Sequence, residues 1–172
     1  MKDILDAYAA GAIDAEEARQ KLLQTFYAHG EEFLLDLHRR ERLGFPEVVL
    51  AESKSVEQVI EVTRRILEAN GQVCISNLLP EQADALRAHF SNQELRIAGR
   101  CMTIGPAADP LGCVGIITAG TSDIPYAREC ALVLEFMGVE VLTAYDAGVA
   151  GIHRPYVSLQ EMGKARVIIV LA

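Results

Sequence analysis

The sequence has no C-x-x-C pair, no apolar run long enough to cross a bilayer, and no surplus of basic charge. Each absence excludes something. Its four cysteines, Cys74, Cys101, Cys113 and Cys130, have no neighbouring histidine at ligand spacing. That argues against a zinc site or a disulfide framework and makes a reducing cytoplasm the expected compartment. Three of them lie in or beside apolar runs, where a buried, inert thiol is the ordinary expectation. The longest apolar runs, such as VIIVLA, are far too short for a spanning helix, and no signal-peptide pattern follows Met1. The net charge is -8. Nucleic-acid binding by the surface as a whole would need clustered Lys and Arg, so no nucleic-acid partner and no membrane partner are expected. There is no internal repeat and no low-complexity segment.

What remains is a 172-residue chain, 51% apolar and 23% charged, long enough to bury a core unaided. Residues 3 to 28 read as two short helices broken at Gly11, with Asp14 capping the second and Glu17 at capping-box spacing. Phe33 to Leu37 reads as a strand. A basic cluster follows at His38, Arg39, Arg40 and Arg42. EVVL reads as a strand, and Ser55 with Gln58 forms a second capping box opening an amphipathic helix (Val59, Ile60, Ile66, Leu67) that stops at Asn70-Gly71. QVCIS, Pro80 to Phe90 and LRIAGRCMTI then read as strand, helix and strand. IGPAADPLG is the best linker, with two prolines and two glycines.

Beyond the linker the pattern is regular: CVGIIT, a helix from Ile124 to Met137 stopped by Gly138, VEVLTAY, a glycine-rich loop, a helix from Tyr156 to Met162, and ARVIIVLA. This is βαβαβ, implying parallel strands with right-handed crossovers. The expected fold class is α/β: an N-terminal helical segment (1–30), a small α+β domain (31–104), and a doubly wound, flavodoxin-like parallel-sheet domain (113–172). A three-stranded parallel sheet is thin, so the last strand is expected to be covered by a partner subunit or by further chain.

Ligands of open parallel sheets bind outside the carboxyl ends of the strands. Two loops leave from there. In AGTSD, Gly120 admits a close backbone approach, Thr121 and Ser122 offer hydroxyls, and the following helix offers free N–H groups at its positive end. Pro125 suits the first helical turn. Capping by Ser122 or Asp123 alone would explain the turn as well. In YDAGVAGIHRP, Gly148 and Gly151 permit tight geometry around Asp146, His153 and Arg154. Imidazole moves protons near neutral pH, and guanidinium grips carboxylate or phosphate. The basic cluster is either a solvated turn or a reach over a nucleotide phosphate, with Arg39 and Arg42 as candidate contacts.

These motifs resemble the LarB-type proteins of nickel-pincer cofactor biosynthesis. The turn Gly120-Thr121-Ser122-Asp123 and the loop Gly151-Ile152-His153-Arg154 are similar to the Gly-x-Ser-x-Asp and Ser-Ala-His-Arg motifs of aminoimidazole ribonucleotide carboxylase/mutase enzymes. The longer AGTSD and VAGIHR runs favour the LarB side. DLHRRERLGFPEVVLAESKSVEQ resembles that family's first domain, so the likeness runs from about Asp36 to the end.

The resemblance implies carboxylation of the pyridinium ring of nicotinic acid adenine dinucleotide and hydrolysis of its phosphoanhydride, releasing AMP. The implied partners are that dinucleotide, CO2 or bicarbonate, and further copies in a homo-oligomer. No tightly bound organic cofactor is implied, and Asp146 is a candidate carboxylate for a magnesium ion assisting hydrolysis. Asp123 and His153 are the implied proton handlers; Gly120, Thr121, Ser122 and Arg154 would hold anionic groups. LarB-type chains continue with a Gly-Met-Glu-Gly-Ala-Leu loop and a later cysteine that attacks the ring. These 172 residues contain neither, so the second domain is expected to be partial. The alternatives are a purine-type carboxylase/mutase and a non-catalytic nucleotide-binding module.

Overall fold

The computed structural model describes residues 2–29, 34–36, 39 and 44–172. It begins with two helices, α1 (Lys2–Ala9) and α2 (Ala15–Phe26). Gly11 turns the chain between them at φ +72°. Asp14 caps α2 as expected, its carboxylate accepting from the Glu17 N–H at 2.8 Å. The second helix ends sooner than its periodicity suggests. Tyr27–His29 forms β1, which pairs antiparallel with β2 (Leu34–Asp36), so a ladder partner replaces helical bonding from Tyr27 onward. Phe33 and Leu37, the expected ends of that strand, lie outside the described residues.

Next comes a parallel β-α-β unit: β3 (Val48–Leu50), α3 (Val56–Asn70) and β4 (Val73–Ser76). Helix α3 is delimited as its sequence dictates. Ser55 Oγ accepts from Gln58 N–H at 3.2 Å and Gln58 Oε1 accepts from Ser55 N–H at 2.9 Å, while Gly71, at φ +71°, donates to Leu67 O. Its buried stripe is Val59, Val62, Thr63 and Ile66; Ile60 and Leu67 lie at the core's edge.

Helix α4 (Pro80–His89) is pinned by buried Gln82. The Gln82 Nε2 amide donates to Ala51 O at 3.0 Å and Lys54 O at 2.7 Å, and its Oε1 accepts from Leu79 N–H at 2.9 Å. LRIAGRCMTI is two strands rather than one. Gly99, at φ +54°, folds β5 (Leu95–Ala98) back on β6 (Cys101–Ile104), with Ala98 opposite Cys101. The resulting sheet is mixed and ordered β3-β4-β6-β5.

The linker does not hang free. Ala108 N–H donates to Phe136 O and Leu111 N–H to Gly138 O. The second sheet is wholly parallel, ordered β8-β7-β9, and comprises β7 (Gly112–Thr118), β8 (Val139–Ala144) and β9 (Val167–Leu171). Its helices are α5 (Ile124–Phe136) and α6 (His153–Glu161). The expected α/β architecture is thus present, as a mixed sheet followed by a parallel one. Helix α6 starts three residues before the expected Tyr156, because Pro155 falls within the first turn, where a missing N–H leaves no bond unmade.

Helix α5 packs against β7 and β8 and also against β5 and β6. Leu132 and Phe136 are buried with Cys74 and Cys101 in one cluster; burying each apolar side chain of this size contributes roughly 1.5–3 kcal/mol. At the rim, the Glu129 carboxylate accepts from Arg100 N–H at 2.7 Å, and Arg96 pairs with Glu135. Apolar side chains lie exposed on α6 (Tyr156, Val157, Leu159) and on the edge strand β9 (Val167, Ile168, Val170). No helix among the described residues is long and apolar enough to cross a membrane.

The cysteines sort by packing. Cys74 and Cys101 are buried with their sulfurs 4.0 Å apart; the contact with Cys101, and then burial, push the Cys74 thiol up. Cys113 and Cys130 are half-buried, and burial pushes the Cys130 thiol up. Thiolate is the reactive form. Iodoacetamide on the native protein at mildly alkaline pH should label the half-buried Cys113 and Cys130 ahead of the buried pair. Cys74 and Cys101 should react only after denaturation, read by peptide mass mapping.

Candidate functional site

The site begins at the end of the central strand. Thr118 closes β7 with no exposed surface, and both its oxygens bind the neighbouring loop. Its Oγ1 accepts from Asp146 N–H at 3.0 Å, and its carbonyl accepts from Ala147 N–H at 2.8 Å. Ala119 N–H donates to Leu171 O at the end of β9, also at 2.8 Å. The carboxyl ends of all three parallel strands are therefore tied at one point. Gly148 lies so close to Ala119 that a β-carbon there would meet its carbonyl oxygen at 2.7 Å.

From this joint the first loop runs through Gly120 into a short 3-10 turn, Thr121–Asp123, and then α5. The Asp123 carboxylate accepts from Gly120 N–H at 2.9 Å, so one of its oxygens acts as the turn's cap. Its other oxygen has no partner among the described residues. Thr121 and Ser122 are exposed, with hydroxyls bonded to nothing among the described residues. The 3-10 turn has the capping expected of an ordinary strand-to-helix joint, with two unpaired hydroxyls added to it.

The second loop runs from Asp146 to α6. Asp146 adopts φ +58°, a left-handed conformation that Asp and Asn tolerate better than most side chains. Its carboxylate accepts from the half-buried Arg154, and no other partner of that guanidinium is found among the described residues. His153 is exposed, with its ring against Gly151. Both His153 and Arg154 lie in the first turn of α6, a helix position where a loop position was expected. The carboxyl edge thus presents two helix N-termini, whose partial positive charge favours anions.

The structure brings Gly120 and Asp123 together, and Asp146 and Arg154 together, and joins the two sets through Thr118, Ala119 and Gly148. It does not bring Arg39 there by any contact. Arg39 donates to Glu47 at 3.2 Å and its guanidinium lies 4.9 Å from the Phe45 ring centre. Arg42 lies outside the described residues. Thr118 is the residue sequence reading passed over, since a threonine ending a buried run looks like one more β-branched strand residue. No cluster of three His, Cys, Asp or Glu side chains suited to a metal is found among the described residues. Asp146, the one carboxylate considered for magnesium, is engaged with Arg154.

Comparison with known proteins gives two findings. The family described as "LarB/PurE-like N-terminal domain" matches residues 27–106. The uncharacterized protein MJ0165 of Methanocaldococcus jannaschii is 37% identical over 171 residues, an alignment covering 94% of this chain and 67% of that protein.

The joint makes a contrast between two glycines. Gly148→Ala sets a β-carbon against fixed backbone and should destabilise by about 1–3 kcal/mol, as overpacking does. Gly151→Ala meets only the exposed His153 ring, which can turn away, and should cost less than about 1 kcal/mol. Urea unfolding of the two variants beside the parent checks the order.

Proposed function

We propose, from the premise that this chain belongs to the LarB/PurE-like family, a family of carboxylase/mutase type, that it acts on the pyridinium ring of nicotinic acid adenine dinucleotide, adding a carboxyl group from CO2 or bicarbonate and hydrolysing the phosphoanhydride to release AMP. The observation that carries this reading is the hydrogen-bonded joint at Thr118. It sets two helix N-termini, free hydroxyls, a carboxylate, an imidazole and a guanidinium along one strand edge. A dinucleotide offers two phosphates and a ring carboxylate to such an edge.

The chemistry assigns roles. A pyridinium ring is electron-poor and does not attack CO2 until a nucleophile has added to it, leaving an enamine-like ring. That ring forms the new C–C bond. A base then removes the proton from the carboxylated carbon, the nucleophile leaves, and aromaticity returns. In this reading the free carboxylate oxygen of Asp123 and the exposed His153 imidazole move the proton. Gly120, Thr121, Ser122 and Arg154 hold the anionic groups. None of the four cysteines is placed to be the nucleophile. Cys74 and Cys101 are buried beneath α5. Cys113 lies five residues before Thr118 on β7, about 17 Å away along the strand, and Cys130 is six residues along α5, about 9 Å from its start. The exposed apolar residues of α6 and β9 support homo-oligomeric assembly as part of the same reading.

Isothermal titration with nicotinic acid adenine dinucleotide tests the reading. Binding should be saturable, and Arg154→Ala should weaken it about 10- to 100-fold, the equivalent of one charge-assisted hydrogen-bonding partner. No heat from folded wild-type protein would contradict the proposal. Heat with an aminoimidazole ribonucleotide and none with the dinucleotide would favour the purine-type reading.

A further inference from the structure

We infer that Thr118 and Asp146 are positioning residues: buried Thr118 fixes Asp146, and Asp146 fixes the Arg154 guanidinium so that its unpaired N–H groups face an anionic ligand already oriented. The ligand class is a phosphate or carboxylate of a nucleotide. That identity rests on the function proposed above, whereas the relay itself rests only on the geometry.

Three observations carry it. Thr118 is fully buried at the strand end, and both its oxygens are committed to consecutive amides of the second loop. Asp146 is in a left-handed conformation, which Asp tolerates better than most side chains with a β-carbon, and the bond from its N–H to Thr118 Oγ1 restrains it there. The Asp146 carboxylate then takes one corner of a guanidinium that has five N–H donors and no second partner among the described residues. A side chain pinned at one corner loses less rotamer freedom when an anion arrives, which raises affinity without adding a contact. Ser158 Oγ donates to Arg154 O at 3.0 Å, steadying the backbone end of the same residue.

The test compares wild type with Thr118→Val, which keeps the shape and removes the acceptor, and Thr118→Ser, which restores it. The first readout needs no ligand: nitrogen-15 NMR of the arginine side chains in the full chain, with the Arg154 signal assigned from its loss in Arg154→Lys. Wild type and Thr118→Ser should show slowed guanidinium rotation at Arg154, and Thr118→Val should show the fast averaging of an exposed arginine. Melting curves confirm that each variant is folded. Should Thr118→Val not fold, Asp146→Asn takes its place, since Asn tolerates the same backbone conformation but lacks the charge.

The second readout is titration with nicotinic acid adenine dinucleotide, where Thr118→Val should bind about tenfold more weakly and Thr118→Ser as wild type does. Slowed rotation that survives unchanged in folded Thr118→Val, or that is absent from wild type, overturns the relay. The expected spectra together with no dinucleotide binding by wild type would uphold the relay and overturn the proposed function instead.

Discussion

The arrangement depends on two acceptors at the end of β7, the hydroxyl and the carbonyl of Thr118. A strand that finishes a buried parallel sheet leaves polar backbone that must find partners away from water. Here the Asp146 and Ala147 amides, the second and third residues after β8, donate to the Thr118 hydroxyl and carbonyl. Satisfying those groups locally also draws the exits of β7 and β8 together, and the Ala119 bond to Leu171 adds the end of β9. The same bonds that pair these amides gather the polar side chains of both loops over one edge. The glycines follow from this closeness: a side chain at 148 would collide with the Ala119 carbonyl.

Helix α5 links this edge to the rest of the molecule. Its first turn follows the Thr121–Asp123 cap, while its far turns seal Cys74 and Cys101 with Leu132 and Phe136. Glu129 and Glu135 hold the β5–β6 hairpin from the same helix, one through Arg100 N–H and the other through Arg96. The mixed sheet, the parallel sheet and the first loop therefore share one rigid element. A shift of that helix would move the loop with it, because a packed interior of this kind deforms little.

Much of this was legible from residue patterns. The capping pair Ser55/Gln58, the Gly71 and Gly138 stops and the βαβαβ order all arise from local chemistry, and they appear where that chemistry puts them. The misses were tertiary. Tyr27 and Ala28 continue a helical pattern but take a ladder partner from β2. The hairpin at Gly99 hides in an apolar run because its one signal is a glycine, which a strand also tolerates. For the site, the glycines and polar residues of both loops stood out. The pairing of Asp146 with Arg154 did not, because it needs a left-handed backbone that no spacing reveals. Arg39 stood out from charge alone, and its contacts among the described residues are with Glu47 and Phe45.

The central claim is that two loops act as one receptor for a single anionic guest. Hydrogen exchange of the full chain, read by mass spectrometry with and without nicotinic acid adenine dinucleotide, tests it most directly. The account predicts added protection in peptides spanning 118–124 and 145–154 together, at the same ligand concentration. Protection of one loop alone, or of neither while ligand is demonstrably bound, would contradict it.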